Sequence, residues 1–220
     1  MQEIKKPFTQ IPFDNKTSVF LDACFLLALL NHNDTRHYDT MNLYQILRNN
    51  KCKLFITDVV ASEVINNLMY KLFIADIRYI IDNAQPLNSK ANVASILHSF
   101  SQKDRKAIKC QWKPYIDNIN YKFYFNTISK SPKKRNLLQI YLNTALQTYE
   151  QLEISMQLKY ISLSKRTFDD AKVYMKNDLL LVNDAYHLSS ALLGNSNYLA
   201  TLDGDFRYVN AATSIKLLRI

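Results

Sequence analysis

Apolar and polar positions change rhythm along the chain, and the changes mark out its elements. Ser18-Val-Phe-Leu-Asp22 is a short apolar run that ends on a carboxylate, as a buried strand does, and the apolar 23–30 segment directly after it predicts a helix. Residues 38–49 predict a second helix, with Tyr38, Met41, Tyr44, Gln45, Leu47 and Arg48 on a mixed surface. Lys53-Leu-Phe-Ile-Thr57 is the next strand. A helix over 58–82 follows, because Val60, Val64, Leu68 and Leu72 recur every fourth residue and Thr57 can cap them.

Pro86 and the polar 87–90 stretch interrupt this rhythm. Helical periodicity resumes over 91–109, 115–127 and 134–160, with Ser131-Pro132 as a break. Thr167-Phe-Asp-Asp170 has the form of a capping box and predicts another helix. Asn183 or Asp184 opens the next helix, which runs to Leu193 and stops at Gly194. Residues 197–201 and 214–218 read as closing strands. Strands alternate with helices at both ends of the chain, which predicts an α/β fold: a small central parallel sheet flanked by helices. We expect one domain over 1–220, with a helical insertion at approximately 86–160.

Four acidic residues stand where this architecture converges. Asp22 ends a strand, and parallel sheets bind ligands at the carboxyl ends of their strands. It could equally cap the following helix. Glu63 falls near Val59, Val60, Val64 and Asn67 on the helical arc, where an unpaired carboxylate is costly to bury. A metal ion or an ion pair with Lys or Arg would offset that cost. Asp184 shares a helix face with Leu188 and Ala191, and its place in the first turn also suits the helix dipole. Asp203 lies two residues beyond Thr201 in Thr201-Leu-Asp-Gly-Asp-Phe206, a segment that is also ordinary turn chemistry. Together these carboxylates would repel one another unless a divalent cation neutralised them. Four histidines in no ligand spacing, and three widely spaced cysteines without a CxxC pair, leave oxygen ligands and hence Mg2+ or Mn2+.

Composition adds three points. At 48% hydrophobic, 220 residues can bury a sizeable core. No apolar run approaches the roughly 18 residues that span a bilayer, and the first residues lack a signal-peptide core, so we expect a cytoplasmic protein without membrane contact. The net charge of +9 is regional: residues 86–136 hold eleven Lys/Arg and two Asp, and the remainder balances near zero. Within that region Lys103, Arg105, Lys106, Lys109, Lys113, Lys133, Lys134 and Arg135 are expected to contact nucleic-acid phosphates. The interleaved Trp112, Tyr115, Tyr121, Phe123, Tyr124 and Phe125 are expected mainly in the core.

The order of these motifs resembles the PIN-domain family, which includes VapC-like toxin ribonucleases. Val-Phe-Leu-Asp22-Ala-Cys-Phe-Leu, Leu-Phe-Ile-Thr57 leading to Glu63, Asn-Asp184-Ala-Tyr-His-Leu, and Thr201-Leu-Asp203-Gly-Asp205-Phe206 carry the likeness, over about 18–82 and 160–218. The resemblance implies that Asp22, Glu63, Asp184 and Asp203 are catalytic metal ligands. It implies that Asp205 ligates directly or through water, and that Thr201 orients the site. Two departures stand out. Ala23 and Cys24 occupy places where many members have Asn, Ser or Thr, and the Glu63–Asp184 interval is longer than in compact toxins.

The resulting expectation is a metal-dependent endoribonuclease, the toxin of a toxin–antitoxin system, with RNA as substrate and an antitoxin as partner. A homodimer is a family expectation only. The alternatives are a non-catalytic PIN-like module binding RNA or protein, and a DNA-directed nuclease. A haloacid-dehalogenase-type phosphatase would need a second Asp where Cys24 stands.

Overall fold

The computed structural model describes residues 1–83, 93–209 and 214–220. Its elements begin with β1 (Gln2–Ile4), β2 (Ser18–Leu21), α1 (Ala23–Leu30), α2 (His37–Asn49), β3 (Lys53–Ile56) and α3 (Asp58–Asn83). Five helices follow: α4 (Val93–Leu97), α5 (Gln102–Lys109), α6 (Lys113–Ile116), α7 (Tyr121–Lys130) and α8 (Gln139–Met156). The chain closes with β4 (Lys159–Tyr160), α9 (Lys165–Asn177), α10 (Val182–Leu193), β5 (Tyr198–Thr201) and β6 (Lys216–Arg219). It divides into two compact units, one of residues 1–64 with 150–220 and one of residues 65–149.

The first unit holds the expected parallel sheet flanked by helices. All its pairings are parallel, in the order β1-β6-β5-β2-β3-β4. The apolar run that predicted β2 is buried at every position, because β2 lies between two neighbours: Phe20 stands opposite Leu199 on β5 and Phe55 on β3. From β2 the chain steps outward to β3 and β4, then returns through α9 and α10 to β5 on the other side of β2. Strand order therefore reverses between β2 and β5, and parallel sheets bind ligands at the carboxyl ends of strands at such a point. Asp22 follows β2 directly, and residues 202–205 follow β5.

Some expected elements are placed differently. The apolar spacing missed β1 and β4, which have three and two residues and little burial. α8 ends at Met156 rather than continuing to 160: Gln157 turns to φ 53° and the Leu158 amide donates back to Glu153. The last expected helix before α10 starts earlier than Thr167. Ser164 caps α9, and Thr167 closes the capping box as the third helical residue rather than opening it. The expected break at Pro86 lies outside the described residues.

The second unit is helical among the described residues. Its core gathers Phe73 and Ile77 from α3, Phe100, Tyr124 and Ile128 from the middle segment, and Tyr141 from α8. Phe100 and Tyr124 stack with ring centroids 3.9 Å apart. The buried tyrosine hydroxyls find partners, as burial requires: Tyr124 donates to Asp104 and Tyr141 donates to Asp76 at 2.7 Å. The long helices expected over 91–109 and 115–127 are broken into shorter ones. Ser101 caps α5 by accepting from the Asp104 amide at 3.1 Å, and Gln111 at φ 51° separates α5 from α6.

Candidate metal centre

Asp22 is both a strand-end carboxylate and a helix cap. As the residue before α1 it has extended backbone, and its Oδ1 accepts from the Ala23 amide at 2.6 Å. Its Oδ2 accepts from the Thr201 hydroxyl at 2.7 Å and from the Cys24 thiol at 2.8 Å. Thr201 closes β5, the strand beside β2, so the sheet register itself brings this hydroxyl to Asp22. Thr201 Oγ1 also accepts from the Asp203 amide at 2.9 Å, which fixes the chain where it leaves the sheet.

Cys24, which stands where the resembled family often has Asn, Ser or Thr, makes polar contacts of its own: the thiol faces Asp22 and Thr201 and accepts from the Leu202 amide at 3.1 Å. Burial, and then the neighbouring Asp22 charge, push the thiol pKa far up, so Cys24 remains a protonated donor.

Glu63 lies on α3, one turn beyond Val60, whose amide donates to the Thr57 hydroxyl near the helix start. Its carboxylate meets two residues of α10: Oε1 accepts from the Asn183 side chain, and Oε2 lies 3.1 Å from Nε2 of His187. Sequence weighed a metal ion against Lys or Arg at this carboxylate; among the described residues it also meets a histidine. His187 is 1% exposed and its Nε2 also lies 3.5 Å from Asp22 Oδ1, so one ring bridges two carboxylates. Burial disfavours its charge, but the Glu63 hydrogen bond and the Asp22, Glu63 and Asp184 charges outweigh burial and raise its pKa above the usual value. Its Nδ1 is buried without a hydrogen-bond partner among the described residues. Ligand-spacing rules could not find this residue, because its partners come from β2 and α3. The usable signal was that His187 falls one helical turn after Asp184.

Asp184 occupies the first turn of α10, which starts at Val182 with no side-chain cap. Asp184, Asp203 and Asp205 each bring a carboxylate oxygen within 4.8 Å of the others. Asp203 Oδ1 accepts from the Asp205 amide at 2.9 Å, which organises the turn. The Asp184 carboxyl is pushed up to about 6. Burial is the main cause, followed by repulsion from Asp22, Asp203 and Asp205, with His187 opposing.

The site therefore divides into two groups with different charge balance. Asp22 and Glu63 share His187, which can carry a compensating proton. Asp184, Asp203 and Asp205 face one another, and the Asp184 pKa is raised by burial first and by its acidic neighbours second. An all-oxygen trio of this kind fits a hard divalent cation such as Mg2+ or Mn2+.

All the basic residues singled out from sequence are exposed in the second unit: Lys103, Arg105, Lys106, Lys109, Lys113, Lys133, Lys134 and Arg135. The aromatics divide. Tyr121 and Tyr124 are buried, whereas Trp112 and Phe123 are exposed. No described helix is long and apolar enough to cross a membrane.

No family model matches the chain, and no curated protein matches it. Among solved structures, one chain from the crystal structure of VapBC2 from Rickettsia felis, bound to a DNA fragment from their promoter, is similar over 92% of this chain and 98% of that chain. The identity is 14% and the TM-score 0.42. A likeness this distant assigns neither an activity nor a partner.

Proposed function

We propose that the chain is a divalent-metal-dependent nuclease of the PIN type that hydrolyses RNA phosphodiester bonds as an endoribonuclease. One observation carries the reading: five carboxylates gather at the carboxyl ends of β2 and β5, where strand order reverses, and three of them, Asp184, Asp203 and Asp205, bring oxygens within 4.8 Å of one another.

Asp184, Asp203 and Asp205 would hold the ion, with Asp22 beside them. When bound, the cation supplies positive charge that stabilises a phosphodiester under attack and makes a nearby water more acidic. The chain's own groups prepare that place. Thr201, Cys24 and the Ala23 amide hold Asp22 in one orientation. His187 keeps a proton between Asp22 and Glu63, so these two carboxylates can lie close without mutual repulsion. Glu63 acts in this reading through His187 and Asn183 as well as by its own charge. Exposed lysines and arginines of the second unit would hold the substrate backbone.

By its sequence motifs the chain resembles toxins of toxin–antitoxin pairs, and the reading extends to that role, with a protein antitoxin as partner and activity in the cytoplasm. The test is cleavage of an RNA panel, with matched single-stranded and duplex DNA, in Mg2+ or Mn2+, by wild type and by Asp22→Asn and Asp184→Asn. Metal-dependent RNA cleavage lost in both variants is expected. Intact RNA at high enzyme and metal would overturn the nuclease reading, preferential DNA cleavage would replace its substrate, and equal cleavage by the variants would remove the site.

A further inference from the structure

The aromatic residue that stands out is Trp112, the chain's one tryptophan. It was expected in the core, yet it is 57% exposed. Aromatic surface of that size is usually withdrawn from water. Here it lines an open hollow of about 300 Å³ together with Lys103, Lys106, Ala107, Cys110 and Tyr115.

The hollow is built rather than incidental. Trp112 and Tyr115 stack with ring centroids 5.3 Å apart and planes 14° from parallel. The Trp112 amide donates to Ala107 at 3.0 Å, and the Tyr115 amide donates to Trp112 at 3.0 Å, so backbone bonds fix both rings. The intervening turn puts Gln111 at φ 51°, and the Gln111 side chain donates to the Ile81 carbonyl at 3.2 Å. Tyr115 is held from its far end, where its hydroxyl donates to Asp104 at 2.8 Å, and Lys103 Nζ lies 4.9 Å from the centre of its ring. An aromatic shelf is thus held in place beside ammonium groups, with Lys109 and Lys113 also exposed along the same segment.

We infer that the Trp112–Tyr115 shelf is a stacking subsite for an unpaired nucleobase of single-stranded nucleic acid, with Lys103 and Lys106 taking the adjoining phosphates. A flat ring accepts the face of any base, while the lysines accept charge without reading sequence. An apolar hollow rimmed by ammonium groups matches a base joined to phosphate, in both shape and charge. A bare anion would leave the aromatic floor unused. This subsite deepens the proposed nuclease function by stating how its substrate is held: by bases that are not paired.

The lone tryptophan makes the test direct. Full-length protein in EDTA is titrated with short single-stranded oligo(U) RNA, the matching single-stranded DNA and the corresponding duplex RNA, following tryptophan fluorescence. Saturable quenching by single strands and little by duplex is expected. Binding by fluorescence anisotropy should weaken roughly tenfold in Trp112→Ala and recover largely in Trp112→Phe. Lys106→Gln should lower the salt dependence of log Kd by about one unit. Equal quenching by single-stranded RNA and DNA assigns the shelf to bases as such; a preference for RNA adds a contact to the ribose.

Unchanged fluorescence, equal quenching by duplex, or undiminished affinity in Trp112→Ala would overturn the subsite. The two readings fail separately. RNA cleaved by wild type without any fluorescence response removes the subsite and leaves the nuclease. Quenching without cleavage under any metal removes the nuclease and leaves a single-strand binding site.

Discussion

Replacing Asp184 by Asn should stabilise the protein while removing its response to divalent cations. The Asp184 carboxyl is pushed from 3.8 to about 6, first by burial and then by its acidic neighbours. Because its pKa is higher folded than unfolded, the folded state favours the protonated form. Its contribution to stability is fully present below 3.8 and is lost as pH rises through about 6. A shift of about two units corresponds to about 3 kcal/mol at 1.36 kcal/mol per unit. Asp184 is only half-buried, and solvent screening brings this to about 1–2 kcal/mol. At about 2–4 °C per kcal/mol for a chain of this size, Asn should raise Tm by about 2–8 °C.

Scanning calorimetry in EDTA at about pH 7.5 and again near pH 4 measures this. The Asn variant should melt higher at the first pH, and the gap should close at the second. Mg2+ or Mn2+ should raise the Tm of wild type and leave the variant unmoved, because a ligand stabilises only the state that binds it. An Asn variant that melts lower at neutral pH in EDTA, or one that keeps the full cation shift, would refute the reasoning.

Three further outcomes follow from contacts around the site. Thr201→Val removes the hydroxyl that donates to Asp22 and accepts from the Asp203 amide; urea denaturation should show a loss of about 1–3 kcal/mol, and cation affinity should fall with it. Cys24→Ser, which keeps a donor to Asp22, should retain cation affinity, while Cys24→Ala should lose part of it on calorimetric titration. His187→Leu leaves Asp22 and Glu63 without the ring that bridges them, and should cost about 3–5 kcal/mol; adding Glu63→Gln should restore part of that, and no restoration would contradict the bridging role.

Acid should loosen the second unit through Asp104. Burial raises its pKa, but hydrogen bonds from Tyr124, Tyr115 and Ser101, with Lys103 nearby, outweigh burial and hold it below 3.8. Its contribution to stability is therefore present above 3.8 and lost as pH falls through the lower folded value. Circular dichroism during acid titration should show a larger acid-induced loss of helix stability in wild type than in Asp104→Asn, when each is compared with its own neutral-pH stability.

The parts of the fold legible from sequence were those with long or buried patterns. β2 and β3 announce themselves because an apolar run ends on a polar residue with a function at the strand end, and α3 because its valines and leucines repeat every fourth residue. β1 and β4 are too short to show alternation, and their residues are half-exposed or exposed. The helical middle looked longer-ranged than it is because two of its interruptions are not marked by glycine or proline: Gln111 and Gln157 take positive φ, which residue type does not announce. At the site, the carboxylates could be named from local context. The His187 bridge could not, since it depends on three segments meeting. Aromatic residues at helical spacing pointed to the core, and Tyr121 and Tyr124 are there. Trp112 is outside it because the turn at Gln111 redirects the chain.

The position of Asp22 in the sheet has a consequence for how long the site persists. Its amide donates to the Ala200 carbonyl at 3.1 Å, so Asp22 is hydrogen-bonded into the seam between the two innermost strands. Such amides exchange with solvent only when the whole unit opens. Asp203 and Asp205 sit beyond the end of β5 on a turn, where brief local opening is enough for exchange. The candidate centre therefore joins a ligand with the lifetime of the fold to ligands with the lifetime of a turn. A bound cation would lengthen the second toward the first, and slowed deuterium uptake confined to 202–206 would make that visible while the Asp22 amide stayed unchanged.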